Sequence, residues 1–179
     1  MSVPLTYHVP LSRPDLLAPP VAAALRALPW ADQVRVAEID PTLADTAEFC
    51  QAYGVSLEES ANCVVIAGKR GGAVTYAACM VTATTRADVN GLVRQHIGAR
   101  KASFGPVDAV TSLTGMEYGG ITPIGLPESW PVLVDDRVVN GATVVIGSGI
   151  RGSKLWLPGA LLGELRTAEV LPGLGVEAG

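Results

Sequence analysis

Residues 61–84 read ANCVVIAGKRGGAVTYAACMVTAT, two apolar runs on either side of a glycine pair, and they constrain the fold more than any other part of the chain. A β-branched run that is apolar almost throughout suits a strand buried on both faces. The spacing predicts strands over Ala61 to Ala67 and Val74 to Thr84, turned at Gly71-Gly72 as a hairpin with a longer loop. Strands covered on both faces need other elements above and below them, and the flanking sequence offers these.

Before the hairpin lie an irregular lead-in, a short helix around Val21 to Leu28 entered at Pro19-Pro20, and a strand around Gln33 to Ile39. Thr42 is expected to cap a helix over Leu43 to Tyr53 that Gly54 ends. After it come a helix over Asp88 to Ile97 stopped by Gly98, an extended stretch Lys101 to Phe104, and a helix opened by Gly105-Pro106 and closed by Gly115. Residues 118–131, YGGITPIGLPESWP, are too broken by glycine and proline for periodic structure. Strands at Val132 to Asp135, Ala142 to Ile146 and Lys154 to Leu157, a helix over Gly159 to Arg166 and a loose tail complete the chain. Helices interleaved with partly hairpin-joined strands predict an α/β (α+β) protein with a mixed, partly antiparallel sheet flanked by helices. At 179 residues, 49% of them hydrophobic, the whole chain 1–179 fits one domain able to bury roughly 70% of its unfolded surface.

Several function classes are disfavoured. No apolar run is long enough for a membrane span, and the first residues, MSVPLTYHVPLSRPDLL, lack a basic leader and an apolar signal core, so a cytoplasmic location is expected. A net charge of -4 opposes broad, unspecific binding to DNA, though local basic groups exist at Lys69-Arg70, Arg94 to Lys101 and Arg151 with Lys154. Cys50, Cys63 and Cys79 are odd in number and widely spaced, as buried free thiols are, and neither His8 nor His96 has a ligand partner at metal spacing. Neither a metal nor a cofactor is expected. Gly147, Gly149 and Gly152 satisfy Gly-x-Gly-x-x-Gly after a strand, yet no crossover helix and second parallel strand follow, which argues against a dinucleotide site. There is no Gly-x-Ser-x-Gly nucleophile motif. What remains are glycine-rich loops at Gly119 to Gly125 and Gly147 to Gly152, which either aim backbone N–H groups at a ligand or simply make tight turns.

The segments SANCVVIAG, ATTRADVNGLVRQHIGARKASF, LTGMEYGGITPIGLP, WPVLVDD and VVIGSGIRGSKLWLP, in this order and spacing, resemble the YbaK/EbsC family over about residues 44–170, leaving 1–43 as a lead-in. The family includes free-standing proteins and the editing domain of bacterial prolyl-tRNA synthetases. The resemblance implies that fold, and hydrolysis of the ester joining a small wrong amino acid to the terminal ribose of a tRNA of the proline type. It implies as partners the acceptor end of aminoacyl-tRNA and an aminoacyl-tRNA synthetase. Gly119, Gly120, Ile121, Thr122 and Pro123 match the family's Gly-x-x-x-Pro loop, where backbone N–H groups of Gly119 and Gly120 would hold the carbonyl while water attacks. Asp135, Ser148, Gly149, Arg151 and Gly152 match other pocket positions. Asp135 would bind the amino group or merely cap a turn, and Arg151 would meet a phosphate. Lys69, Arg70, Arg100, Lys101 and Lys154 are candidate tRNA contacts, and Phe49, Tyr76, Met80, Met116 and Tyr118 are candidates for shaping the pocket. One departure stands out: where the family usually carries a lysine, this chain has Asn62, so another cation serves (Lys101, Lys69 or Arg151), or the substrate differs, or the protein binds without hydrolysing.

Overall fold

The computed structural model describes residues 1–178. In chain order its strands are β1 (Tyr7–His8), β2 (Arg35–Glu38), β3 (Ala61–Arg70), β4 (Ala73–Thr82), β5 (Thr85–Ala87), β6 (Lys101–Phe104), β7 (Val132–Val134), β8 (Val144–Gly147), β9 (Ser153–Leu157), β10 (Ala168–Val170) and β11 (Gly175–Glu177). The α-helices are α1 (Pro19–Ala27), α2 (Thr46–Tyr53), α3 (Arg94–His96), α4 (Val107–Thr114) and α5 (Asp136–Val139).

The central hairpin forms, with β3 and β4 antiparallel from Ala61 opposite Thr82 to Arg70 opposite Ala73. Its turn is two residues rather than a longer loop: Gly71 (φ 56°) and Gly72 (φ 82°) both adopt the left-handed conformation that matches the twist of the strands. With that pair they sit in a five-stranded sheet of order β10-β7-β4-β3-β6, parallel at β10–β7 and β7–β4 and antiparallel elsewhere. A second, four-stranded antiparallel sheet has the order β1-β2-β9-β8, and β5 with β11 makes a third, two-stranded one. The result is a mixed, partly antiparallel sheet architecture with flanking helices.

Alternation along the strands builds two cores. Ala78, Met80, Val132 and Val134 face one side, where they pack with Val21 and Leu25 of α1 and with Val36, Ile146, Leu155 and Leu157 of the four-stranded sheet. Cys79, Val81, Ile66 and Leu133 face the other side and are covered by Val93 and Leu174. The two larger sheets touch directly where Ser60, just before β3, bridges to Val145 of β8.

Helix punctuation follows local chemistry with some corrections. Gly54 (φ 70°) ends α2 and Gly115 (φ 68°) ends α4, as glycine at a helix C-terminus does. Thr42 does not cap α2; it lies in a 3-10 turn, Pro41–Leu43, whose N–H group at Thr42 is held by Asp40, and α2 begins later at Thr46. The expected helix from Asp88 is a π-turn, Val89–Val93, running into the short α3, with the Asp88 carboxylate accepting from Gly91 and Leu92 N–H. The last expected helix is a 3-10 segment, Gly159–Glu164, and the tail is not loose: it supplies β10 and β11.

Candidate functional site

A cleft of about 650 Å³ opens where the two larger sheets meet, within the range of small-ligand sites. Apolar side chains Val65, Phe104, Val107, Val110 and Ile121 line one part of it. Asp45, Thr46, Asn62 and Lys154 gather in another. Thr46 Oγ1 donates to Asn62 Oδ1 at 2.8 Å, which orients the amide and leaves its NH2 group as a donor without a partner among the described residues. Lys154 lies on β9 opposite Gly147 of β8, and its Nζ lies 5.2 Å from the Phe49 ring centroid. Burial holds the Lys154 ammonium below the usual lysine range. Cys63 also lines the cleft, but burial pushes its thiol far up, so it is neither a thiolate nor a ready nucleophile.

Of the residues singled out from the sequence, the structure brings Asn62, Gly119, Ile121 and Lys154 together in this cleft. Lys154 therefore stands inside it, not on an outer tRNA-facing surface. Gly119 has φ 86° and its N–H has no acceptor among the described residues, whereas Gly120 is buried and donates its N–H to Glu117 O at 3.0 Å. Gly120 thus has no free donor for a substrate oxygen. Its lack of a side chain serves packing instead: a Cβ there would lie 2.6 Å from the Ile150 carbonyl carbon and oxygen. The two glycine loops interlock through Gly149 N–H to Gly120 O (2.7 Å) and Glu117 N–H to Gly149 O (2.8 Å). Close backbone contact between loops is what these glycines permit.

Several other candidates lie outside the cleft lining. Asp135 is 1% exposed, and both its oxygens are committed, Oδ1 to Arg137 N–H (2.8 Å) and Oδ2 to Gly175 N–H (2.6 Å), so it acts as the cap of α5 and the anchor of the tail rather than as an amino-group binder. Ser148 is buried and hydrogen-bonded to the Ile150 and Ser153 carbonyls. Thr122 and Pro123 are buried behind the loop, Thr122 Oγ1 without a hydrogen-bond partner. Gly149 packs on Ala18, and Gly152 borders Ile150 and Pro41. Arg151 ties the rim together, 3.4 Å from both Asp45 Oδ1 and Tyr118 O and 3.2 Å from Pro41 O. Among the side chains considered for shaping the pocket, only Tyr118 lines it.

A second cavity, of about 450 Å³, lies off β6 and is lined by Lys69, Arg94, Arg100 and Lys101 with Asn90 and Ser103. Four cations and no carboxylate line it, which suits an anion. Arg70 is not part of it; its Nε donates to Gly98 O at 2.7 Å. The opposite end of β6 reaches the cleft at Phe104, which is 67% exposed, as is Tyr118 at 64%.

The family model that matches residues 40–165 is that of the aminoacyl-tRNA editing domain. The chain belongs to that family. Its fold is shared with a crystal structure of a proposed trans-editing enzyme for prolyl tRNA synthetase, at 22% identity and a TM-score of 0.74 over 90% of this chain and 97% of that one. A hypothetical protein is similar at 23% identity and a TM-score of 0.70, over 80% of this chain and 91% of that one. A computationally designed epitope scaffold, also at 22% identity and a TM-score of 0.74, shows the same editing-domain architecture put to another use. No curated protein sequence matches the chain. Within the editing-domain segment, the sequence missed Asp45, Thr46 and Cys63 as cleft residues. The only signal for the first two was a polar pair ahead of a helix, which any helix start displays.

Proposed function

We propose that this editing-domain protein acts in trans, hydrolysing the ester between a small non-cognate amino acid and the terminal ribose of a tRNA of the proline type. The observation that carries the reading is the cleft within the family-matched segment, which sets donors (Asn62 NH2, Gly119 N–H and Lys154) beside an apolar wall. An aminoacyl ester has those two needs: oxygens that accept hydrogen bonds and a side chain selected by size. Water is the nucleophile in this reading, since Cys63 is held as a thiol. The exposed faces of Phe104 and Tyr118 at the rim would stack the terminal adenine. Lys69, Arg94, Arg100 and Lys101 would hold a phosphate of the acceptor strand. The single 1–179 domain would work alone or with a synthetase that supplies the mischarged tRNA.

A second reading, binding without turnover, is favoured by Asn62, a neutral amide at the position of the family's usual lysine. The two readings separate when the protein is mixed with tRNAs carrying alanine, serine, threonine or cysteine, and with a non-hydrolysable amide analogue of each. Editing predicts selective ester loss; tight binding of the analogues with every ester intact would replace it with the binding reading.

A further inference from the structure

We propose that Lys154 is the substrate-carbonyl ligand of this cleft, donating with Asn62 to the oxygen of the aminoacyl ester on which negative charge develops. The assignment rests on the editing reading and names the cation it requires. Three observations support it.

First, the Lys154 ammonium is half-buried in the cleft yet forms no ion pair among the described residues, whose salt bridges involve other groups. The acid nearest in influence, Asp45, is engaged by Arg151 at 3.4 Å. The one partner of the ammonium among the described residues, the Phe49 ring face at 5.2 Å, compensates the charge only in part and accepts no ordinary hydrogen bond, so the ammonium retains donors for a ligand oxygen. Secondly, Lys154 is a donor-only group and Asn62, whose Oδ1 already accepts from Thr46, keeps its NH2 group without an acceptor among the described residues. A donor pair recognises an acceptor oxygen and disfavours an α-ammonium, which belongs nearer Asp45. Thirdly, the loop that sequence suggested for the oxyanion does not offer both of its glycine donors, since Gly120 N–H is committed to Glu117. In the attack step, water adds to the carbonyl carbon, the carbonyl π pair moves onto oxygen, and Lys154 holds that oxyanion. Its collapse expels the ribose oxygen, which takes the proton lost by water.

The groups facing Lys154 that shape its titration are Cys50 of α2, Asp45 ahead of α2 and Arg151 of the rim loop. Since the active form is the ammonium, enzyme-catalysed turnover falls as pH rises through a value lower than that of an exposed lysine. The test compares wild type, Lys154→Met and Lys154→Arg on the best misacylated tRNA, with thermal melting to confirm folding. Lys154→Met, which keeps a stem against Phe49, should lower kcat about 100-fold with KM within about threefold and lose the alkaline limb of the pH profile. Lys154→Arg, which retains the charge, should keep about a tenth or more of the wild-type kcat.

A folded Lys154→Met with wild-type kcat overturns the assignment alone. A raised KM with unchanged kcat also overturns it, assigning the amine to a tRNA phosphate. Wild-type protein inactive on every ester overturns the editing reading and this inference with it.

Discussion

At the scale of single residues, glycine and aspartate positions that look chemically alike in the sequence separate into distinct physical roles. Gly119 and Gly120 are adjacent, yet the first faces the cleft at φ 86° and the second is sealed against Ile150. Gly120→Ala should therefore cost about 2 kcal/mol of stability from backbone overpacking, read by denaturant unfolding. Gly119→Ala should depress deacylation more than stability, since its Cβ would push the Arg151 guanidinium from its place on the cleft rim and strain a left-handed backbone. Asp135→Ala should destabilise by about 2 kcal/mol, because it strands the buried Gly175 N–H, removes the cap on Arg137 N–H and frees the tail at Gly175. Lys154 carries the opposite sign. Its proton is held less firmly in the folded chain than in the unfolded one, so folding strengthens as pH climbs from its lowered value toward 10.5. Lys154→Met should accordingly melt higher, by about 2 °C, while losing activity. The sequence alone could not sort these residues, since their roles also depend on partners distant in the chain, such as Gly175 for Asp135 and Ile150 for Gly120.

At the scale of elements, local chemistry was legible and distant pairing was not. The β3–β4 hairpin, the glycine stops of α2 and α4, and the extended β6 all follow from residues within a few positions of one another. Strands β10 and β11 were missed because each is three residues long, without alternation, and exists only through partners far earlier in the chain, β7 and β5. The α2 boundary slipped because Asp40, not Thr42, supplies the capping carboxylate to a separate 3-10 turn. Strand β6 also frames a prediction: it runs from the basic cavity at Lys101 to the cleft rim at Phe104, a span of about 10 Å. Arg94→Ala with Lys101→Ala should raise KM for full-length tRNA about tenfold at low salt and leave a short aminoacyl-nucleoside substrate unaffected. An equal loss on both substrates would detach that cavity from the acceptor strand.

At the scale of the whole molecule, two sheets joined at Ser60 and Val145 hold the cleft open between them, and the interlocked glycine loops fix one of its walls. The editing-domain family assigns the architecture, while the chemistry rests on the side chains that the cleft presents. Those side chains combine a neutral Asn62 with a cation, Lys154, delivered from the other sheet. The most direct measurement is single-turnover release of labelled amino acid from tRNA of the proline type charged with alanine, serine, threonine or cysteine, with protein in excess and a no-protein control. The account predicts selective acceleration of at least one of these esters, about 100-fold or more above the spontaneous rate. Release at the spontaneous rate for all four, from protein shown to be folded, would contradict it.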